Sequence, residues 1–237
     1  MKRLGLSAFL LLLMSVLTAE NYLELAGTLF IPSTAAEEHF EISGVLKTDF
    51  NFTEKQTVDL KAGFNINGGF TGFTENAVYR PVPSIIDMDI FQFNIAAEQF
   101  FHWRYLYDVS NQMDFMIGPH FEFVFAGSWF LDISLYYLFK LCMISGIEKP
   151  FGINDGHFAV SVRKQFNHSF AVDVSVSSFD YFYYPRFLVP VFALNFEYKA
   201  SEELYFFNQL KVRYVDMFTL SAYFETFQIV IGAGVKL

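Results

Sequence analysis

The chain has 237 residues, 53% of them apolar and 20% aromatic, but only 17% charged. Disordered chains lack aromatics and carry dense charge. The 32 Phe and 13 Tyr favour strands over helices, so disorder and an ordinary soluble helical domain are both excluded. The balance of 16 Lys and Arg against 25 Asp and Glu leaves no basic surface for nucleic acid, and a single cysteine, Cys142, excludes an internal disulfide framework or a Cys-based metal cluster.

Met1-Lys2-Arg3 is a short positive segment, and Leu4 to Leu17 is apolar. Leu17-Thr18-Ala19 ends in small residues, so residues 1–19 read as a secretory signal peptide cleaved after Ala19. Residues 20–237 are then the exported domain. Removing Lys2 and Arg3 leaves 14 basic residues against 25 acidic ones.

From there the chain alternates with a period of two. An opening strand is expected near Tyr22–Ile31. In 40–52, Phe40, Ile42, Leu46, Phe50 and Phe52 alternate with Glu41, Ser43, Lys47, Asp49 and Asn51. In 58–67, Val58, Leu60, Ala62, Phe64 and Ile66 alternate with Asp59, Lys61 and Asn65. Met113, Phe115, Ile117, Phe121, Phe123 and Phe125 oppose Asp114, His120 and Glu122. Val172, Val174 and Val176 oppose Asp173, Ser175 and Ser177. Leu204, Phe206, Leu210, Val212 and Tyr214 oppose Gln209, Lys211 and Arg213, and a closing strand is expected near Leu220–Leu237. The most apolar stretch, Trp129–Ile147, carries Asp132 and Lys140. Charges there cost about 2.5–3.5 kcal/mol each at the centre of a spanning helix.

Strands of about ten residues with one aromatic and one polar face are the signature of a transmembrane β-barrel. In lipid every backbone N–H and C=O needs an internal partner, so a spanning sheet must have no free edge. Four polar links read as short periplasmic turns: Thr53–Gln56, Asp108–Gln112, Asn167–Ser169 and Ala200–Glu203. Pro32–Glu38, Gly68–Ser84, Gly127–Gly156 and Asp180–Arg186 read as outer loops. The expectation is an all-β, up-and-down antiparallel barrel of about ten strands, with eight to twelve allowed. Gly127–Gly156 is either a loop, a lid helix or two further strands.

The final segment, Gln228 to Leu237, keeps apolar residues at alternate positions to its end. It resembles the C-terminal assembly signal of bacterial outer-membrane barrels, although the family usually ends in Phe or Trp. Tyr198–Tyr205 looks like a periplasmic hairpin of that family. The pattern is similar to small outer-membrane barrels of the OmpW, OmpA and Opa kind. That resemblance implies the outer membrane of a diderm bacterium, with the lipid bilayer, the barrel-assembly machinery and periplasmic chaperones as partners.

Polar-face residues are then the candidates for the lumen lining: Lys47, Asp49, Asp59, Lys61, Glu98, Asp114, Glu122, Arg163, Asp173, Glu197, Lys211 and Arg213. Their mixed charge reads either as a paired plug that compensates its own burial or as a narrow path for ions and small solutes. Aromatics at Phe50 and Phe52, at Trp103, Tyr105 and Tyr107, and at Tyr181–Tyr184 read as interface girdles. Gly68–Phe73 is Gly/aromatic without the context of a phosphate loop and reads as a mobile outer loop.

An enzyme would need a base near the outer rim. The candidates are Asp87 and Asp89, Asp155 with His157, and His39, but the parity of Asp87 and Asp89 matches lipid-facing Phe91 and Phe93. His102 and His168 fall near the periplasmic end. No G-x-S-x-G or H-E-x-x-H spacing occurs, and no catalytic site, cofactor or metal is expected. The leading functional expectation is a narrow channel or passive transporter of small solutes. The alternative is a surface protein that binds host ligands through its loops.

Overall fold

The computed structural model describes residues 20–32, 39–53, 56–65, 69–80, 84–104, 110–144, 151–178, 190–214 and 224–237. The expected signal peptide lies outside them, as do Tyr105, Tyr107 and Tyr181–Tyr184. Among the described residues the ordered elements are strands alone: β1 (Glu20–Pro32), β2 (His39–Thr53), β3 (Gln56–Asn65), β4 (Gly69–Tyr79), β5 (Ile86–Met88), β6 (Phe91–Arg104), β7 (Ser110–Phe125), β8 (Trp129–Ile144), β9 (Phe151–Gln165), β10 (Phe170–Ser177), β11 (Val191–Lys199), β12 (Leu204–Tyr214) and β13 (Phe224–Lys236).

Every pairing is antiparallel. From β6 to β13 each strand pairs with the next in sequence, β13 returns to β1, and β1 to β4 continue the order. β4 then pairs with β6, from Gly72 opposite Arg104 to Tyr79 opposite Ala97. The hydrogen-bonded order thus comes back on itself through twelve long strands. That is the upper end of the expected range rather than ten. β5 pairs with β6 at Phe91–Phe93 and prolongs β4 along the same edge.

Strand direction assigns the links to two ends. The start of β1 and the end of β13 lie together, with Tyr22 opposite Lys236 and the Leu237 amide donating to the Asn21 carbonyl at 2.8 Å. The links after β2, β5, β7, β9 and β11 share that end, and all are short. Two of them are set by local side-chain chemistry. Asn167 Oδ1 accepts from the amides of Ser169 and Phe170, each at 2.8 Å. Ser201 Oγ accepts from the amides of Glu203 and Leu204 at 3.3 and 3.0 Å. The β7–β8 turn has positive φ at Gly127 (76°) and Ser128 (61°), the left-handed backbone that tight hairpins need.

Short turns mark the periplasmic end of such barrels. Thr53–Gln56, Asn167–Ser169 and Ala200–Glu203 fall there as expected. Two expectations are corrected and one alternative is decided. Asp108–Gln112 joins β6 to β7 at the opposite end. Gly127–Gly156 takes the two-strand alternative: it turns at Gly127 and then supplies β8 and the start of β9. Gly68–Ser84 is not an open loop but contains β4, with Gly72 paired to Gly63 and Arg104. Short polar links look alike at either end of a barrel, and only the strand count upstream assigns them.

The surface is inverted relative to a soluble protein. Leu25, Phe40, Ile42, Ile95, Phe115, Ile117, Leu135, Tyr137, Val174 and Ile231 are exposed, while Asn94, Asp114, His120, Ser134 and Lys140 are buried. On β8 the alternation is strict: Leu135, Tyr137 and Phe139 face out, and Ser134, Tyr136, Leu138, Lys140 and Cys142 face in. An apolar exposed band of this extent is stable only against lipid. At its periplasmic margin, Lys164 Nζ lies 5.0 Å from the Trp129 ring centroid and donates to the Gly127 carbonyl.

Candidate functional site

The inner wall divides into a packed sector and an open one. The packed sector is built by β6, β7, β8 and β9. At its centre are Ala96, Phe100, Met116, Tyr136 and Leu138. Several polar groups around this core reach partners on neighbouring strands. The Tyr136 hydroxyl donates to Glu98 at 2.9 Å, passing over β7. Asp114 and Lys140 are direct partners across β7 and β8, both fully buried, with Nζ 3.8 Å from Oδ2. Asn94 Nδ2 donates to Ser84 Oγ at 3.2 Å. Arg80, just after β4, reaches Glu122 on β7 at 2.8 Å, so the break between β4 and β5 sends a side chain over the inner wall. Glu122 also lies 3.0 Å from His120 Nε2.

The open sector is a cavity of about 630 Å³. β1, β2 and β9 to β12 line it, along their periplasmic halves. Lys47, Arg163, Lys199 and Lys211 line it together with Glu24, Asp173 and Glu197, and with Tyr22, Tyr205, Asn195 and Gln209. The charges are held in loose pairs, with Arg163 4.0 Å and Lys199 3.6 Å from Glu197. Asn195 donates to Asp173 at 2.9 Å and accepts from Gln209 at 2.5 Å. Lys47 Nζ sits 5.6 Å from the Tyr22 ring centroid, and Tyr22 meets Tyr205 edge-on at 5.9 Å. The Tyr205 hydroxyl donates to Glu24.

Of the residues singled out from sequence, Lys47, Arg163, Asp173, Glu197 and Lys211 come together around this cavity. Glu98, Asp114 and Glu122 lie in the packed sector. Arg213 is on β12 opposite Val191 and Thr226, away from the cavity lining. Asp49 and Asp59 are register partners, as are Lys47 and Lys61; the side chains of Asp49, Asp59 and Lys61 lie outside the described residues.

Residues absent from that selection include Glu24, Arg80, Tyr136 and Lys140. Lys140 had a signal, since it shares parity with Asp132 and Ser134. Arg80 had none, because it follows the strand pattern and precedes two prolines.

The rim groups are redistributed. Asp87 pairs with Gln92 and accepts from its side-chain amide at 2.9 Å. It therefore takes the inner parity of Gln92, not that of Phe91, because parity counted along a chain does not carry through a two-residue turn. Asp87 and Asp89 also lie at the periplasmic end, not the outer one. His102 is near the outer end of β6, not the periplasmic end, because β6 begins at the periplasmic turn. His157 is buried, with Nδ1 3.3 Å from Ser178 Oγ. Asp155 turns back to its neighbour, accepting from the Gly156 amide at 2.7 Å.

The chain matches no protein-family model and no curated protein. Its fold, however, is that of an outer-membrane β-barrel. Similar solved structures include the NanC porin (TM-score 0.56, 11% identity), covering 91% of this chain and all of that one. An outer-membrane channel from Pseudomonas putida F1 aligns with a TM-score of 0.54 at 10% identity, over 92% and 95% of the two chains. The KdgM porin in complex with disordered oligogalacturonate gives 0.53 at 7% identity, over 90% and 99%.

Proposed function

We propose that the protein is a narrow outer-membrane channel for passive movement of small polar solutes. The observation that carries this reading is the charged cavity inside the barrel. Eight strands leave an interior filled by side chains, and sixteen or more leave an open aqueous pore. Twelve strands fall between these, consistent with an interior that is packed on one side and open on the other. The solute path follows β1, β2 and β9 to β12, past Lys47, Arg163, Asp173, Glu197 and Lys211. Glu98, Asp114 and Glu122 stiffen the opposite wall. That three similar structures are porins or channels supports the reading.

Planar-bilayer conductance of the refolded barrel tests it, with circular dichroism on the same sample. Discrete current steps are expected. Lys211→Glu is expected to move the reversal potential in a salt gradient toward cation preference, since four basic groups now face three acidic ones. Silence from a verified barrel overturns the channel and leaves loop-mediated binding of surface ligands as the reading to test.

A further inference from the structure

We propose that His120, Glu122 and Asp132 form a binding site for a divalent transition-metal ion on the inner wall. His120 and Glu122 are on β7 and Asp132 is on β8, with Glu122 and Asp132 direct register partners. One ligand atom from each lies within 4.8 Å of the others. His120 Nε2 is 3.0 Å from Glu122 Oε1 and 3.6 Å from Asp132 Oδ1. Ligand atoms sharing one zinc at its usual bond lengths of about 2.0–2.2 Å are roughly 3.0–3.6 Å apart at cis or tetrahedral angles. The two distances span that range.

The histidine is held for the task. It is 2% exposed, and its Nδ1 lies 2.9 Å from Ser134 Oγ on the facing strand. A second ring nitrogen engaged in this way fixes the orientation of a metal-binding imidazole and leaves Nε2 as the ligand. Asp132 is the accessible member, with its side chain 41% exposed, so an ion has a way in. Its neighbours on β9 are Ser161, opposite it, and Arg163 two residues further, which places the cluster next to the open cavity.

Charge points the same way. Two carboxylates face one guanidinium, Arg80, which lies 2.8 Å from Glu122. The surplus negative charge favours a cation bound between the three groups. One imidazole with two carboxylates suits zinc or nickel better than magnesium, which favours all-oxygen ligands.

The test is calorimetric titration of the folded barrel in detergent with zinc chloride and nickel chloride, with magnesium chloride as the control. One zinc per chain with a micromolar dissociation constant is expected, and no response to magnesium. Glu122→Gln and Asp132→Asn should each weaken zinc at least tenfold. Asp132→Asn is the safer variant, because its side chain is half exposed and the substitution keeps its shape. With cobalt(II) as the probe, a visible absorption band should appear in the parent and be lost in His120→Gln. Absence of zinc binding up to millimolar concentration overturns the site. Binding unchanged in Asp132→Asn and Glu122→Gln places the metal on another histidine and overturns it equally. Neither readout uses conductance, so the site stands or falls apart from the channel.

Discussion

Asp114 and Lys140 oppose each other across β7 and β8, both with no exposed side-chain surface, and their charged atoms are 3.8 Å apart. Removing one member of a buried pair leaves the other charge uncompensated, at a cost of about 3–5 kcal/mol, whereas replacing both with apolar groups is often neutral. Lys140→Met is therefore expected to lower the unfolding free energy of the barrel, read from urea titration in lipid vesicles, by about 3–5 kcal/mol. Asp114→Leu combined with Lys140→Met should recover most of it. A single variant as stable as the double would show that the pair carries no coupling.

At Gly118 the backbone of β8 comes close to β7. A Cβ there would meet the backbone of β8, at the Leu135 carbonyl and at Tyr136 Cα, 3.0 Å away, and backbone cannot rotate aside. Gly44 would meet the end of the Leu25 side chain at 3.3 Å and the Glu24 carbonyl at an ordinary 3.8 Å. Gly118→Ala should abolish the compact band that folded barrels give on unheated gels, and Gly44→Ala should keep it. Equal behaviour of the two would remove the close-approach argument.

Ile117 lies midway along β7, 53% exposed on the lipid-facing side. Arg at such a depth costs about 2–4 kcal/mol in a bilayer. Ile117→Arg should slow and destabilise folding into vesicles while leaving the far-UV spectrum in detergent β-rich. Insertion as efficient as the parent would mean that this face does not meet the acyl chains.

Arg80 ties the break between β4 and β5 to Glu122 on β7. Arg80→Ala removes that tether and the bulk it lays over the inner wall. Because the solute path runs through the other sector, lined by Lys47 and Lys211, single-channel conductance should match the parent, with the fold unchanged by circular dichroism. A clear rise in conductance would place the path beside Arg80 instead.

The sequence by itself determined the class of structure, and the reason is periodicity. Alternation in β7, from Asp114 to Phe125, already assigns one side to lipid and the other to the interior, because side chains on a strand alternate with a period of two. The periplasmic turns at Asn167–Ser169 and Ala200–Glu203 were legible as well, since their Asn and Ser bond the local backbone.

What the sequence did not decide is everything that depends on counting round the ring. β8 reads as apolar as a helix until Lys140 is seen to meet Asp114. β4 hides in a Gly-rich stretch whose partners are forty or so residues apart on either side of β5. A parity error at one hairpin misplaced Asp87, and an end-for-end error misplaced His102. The gathering of Lys47, Arg163, Asp173 and Lys211 around one cavity, and of His120, Glu122 and Asp132 at one point, came only from the tertiary structure. Neighbours across a barrel are set by strand order and register, and these depend on all the pairings at once rather than on any one segment.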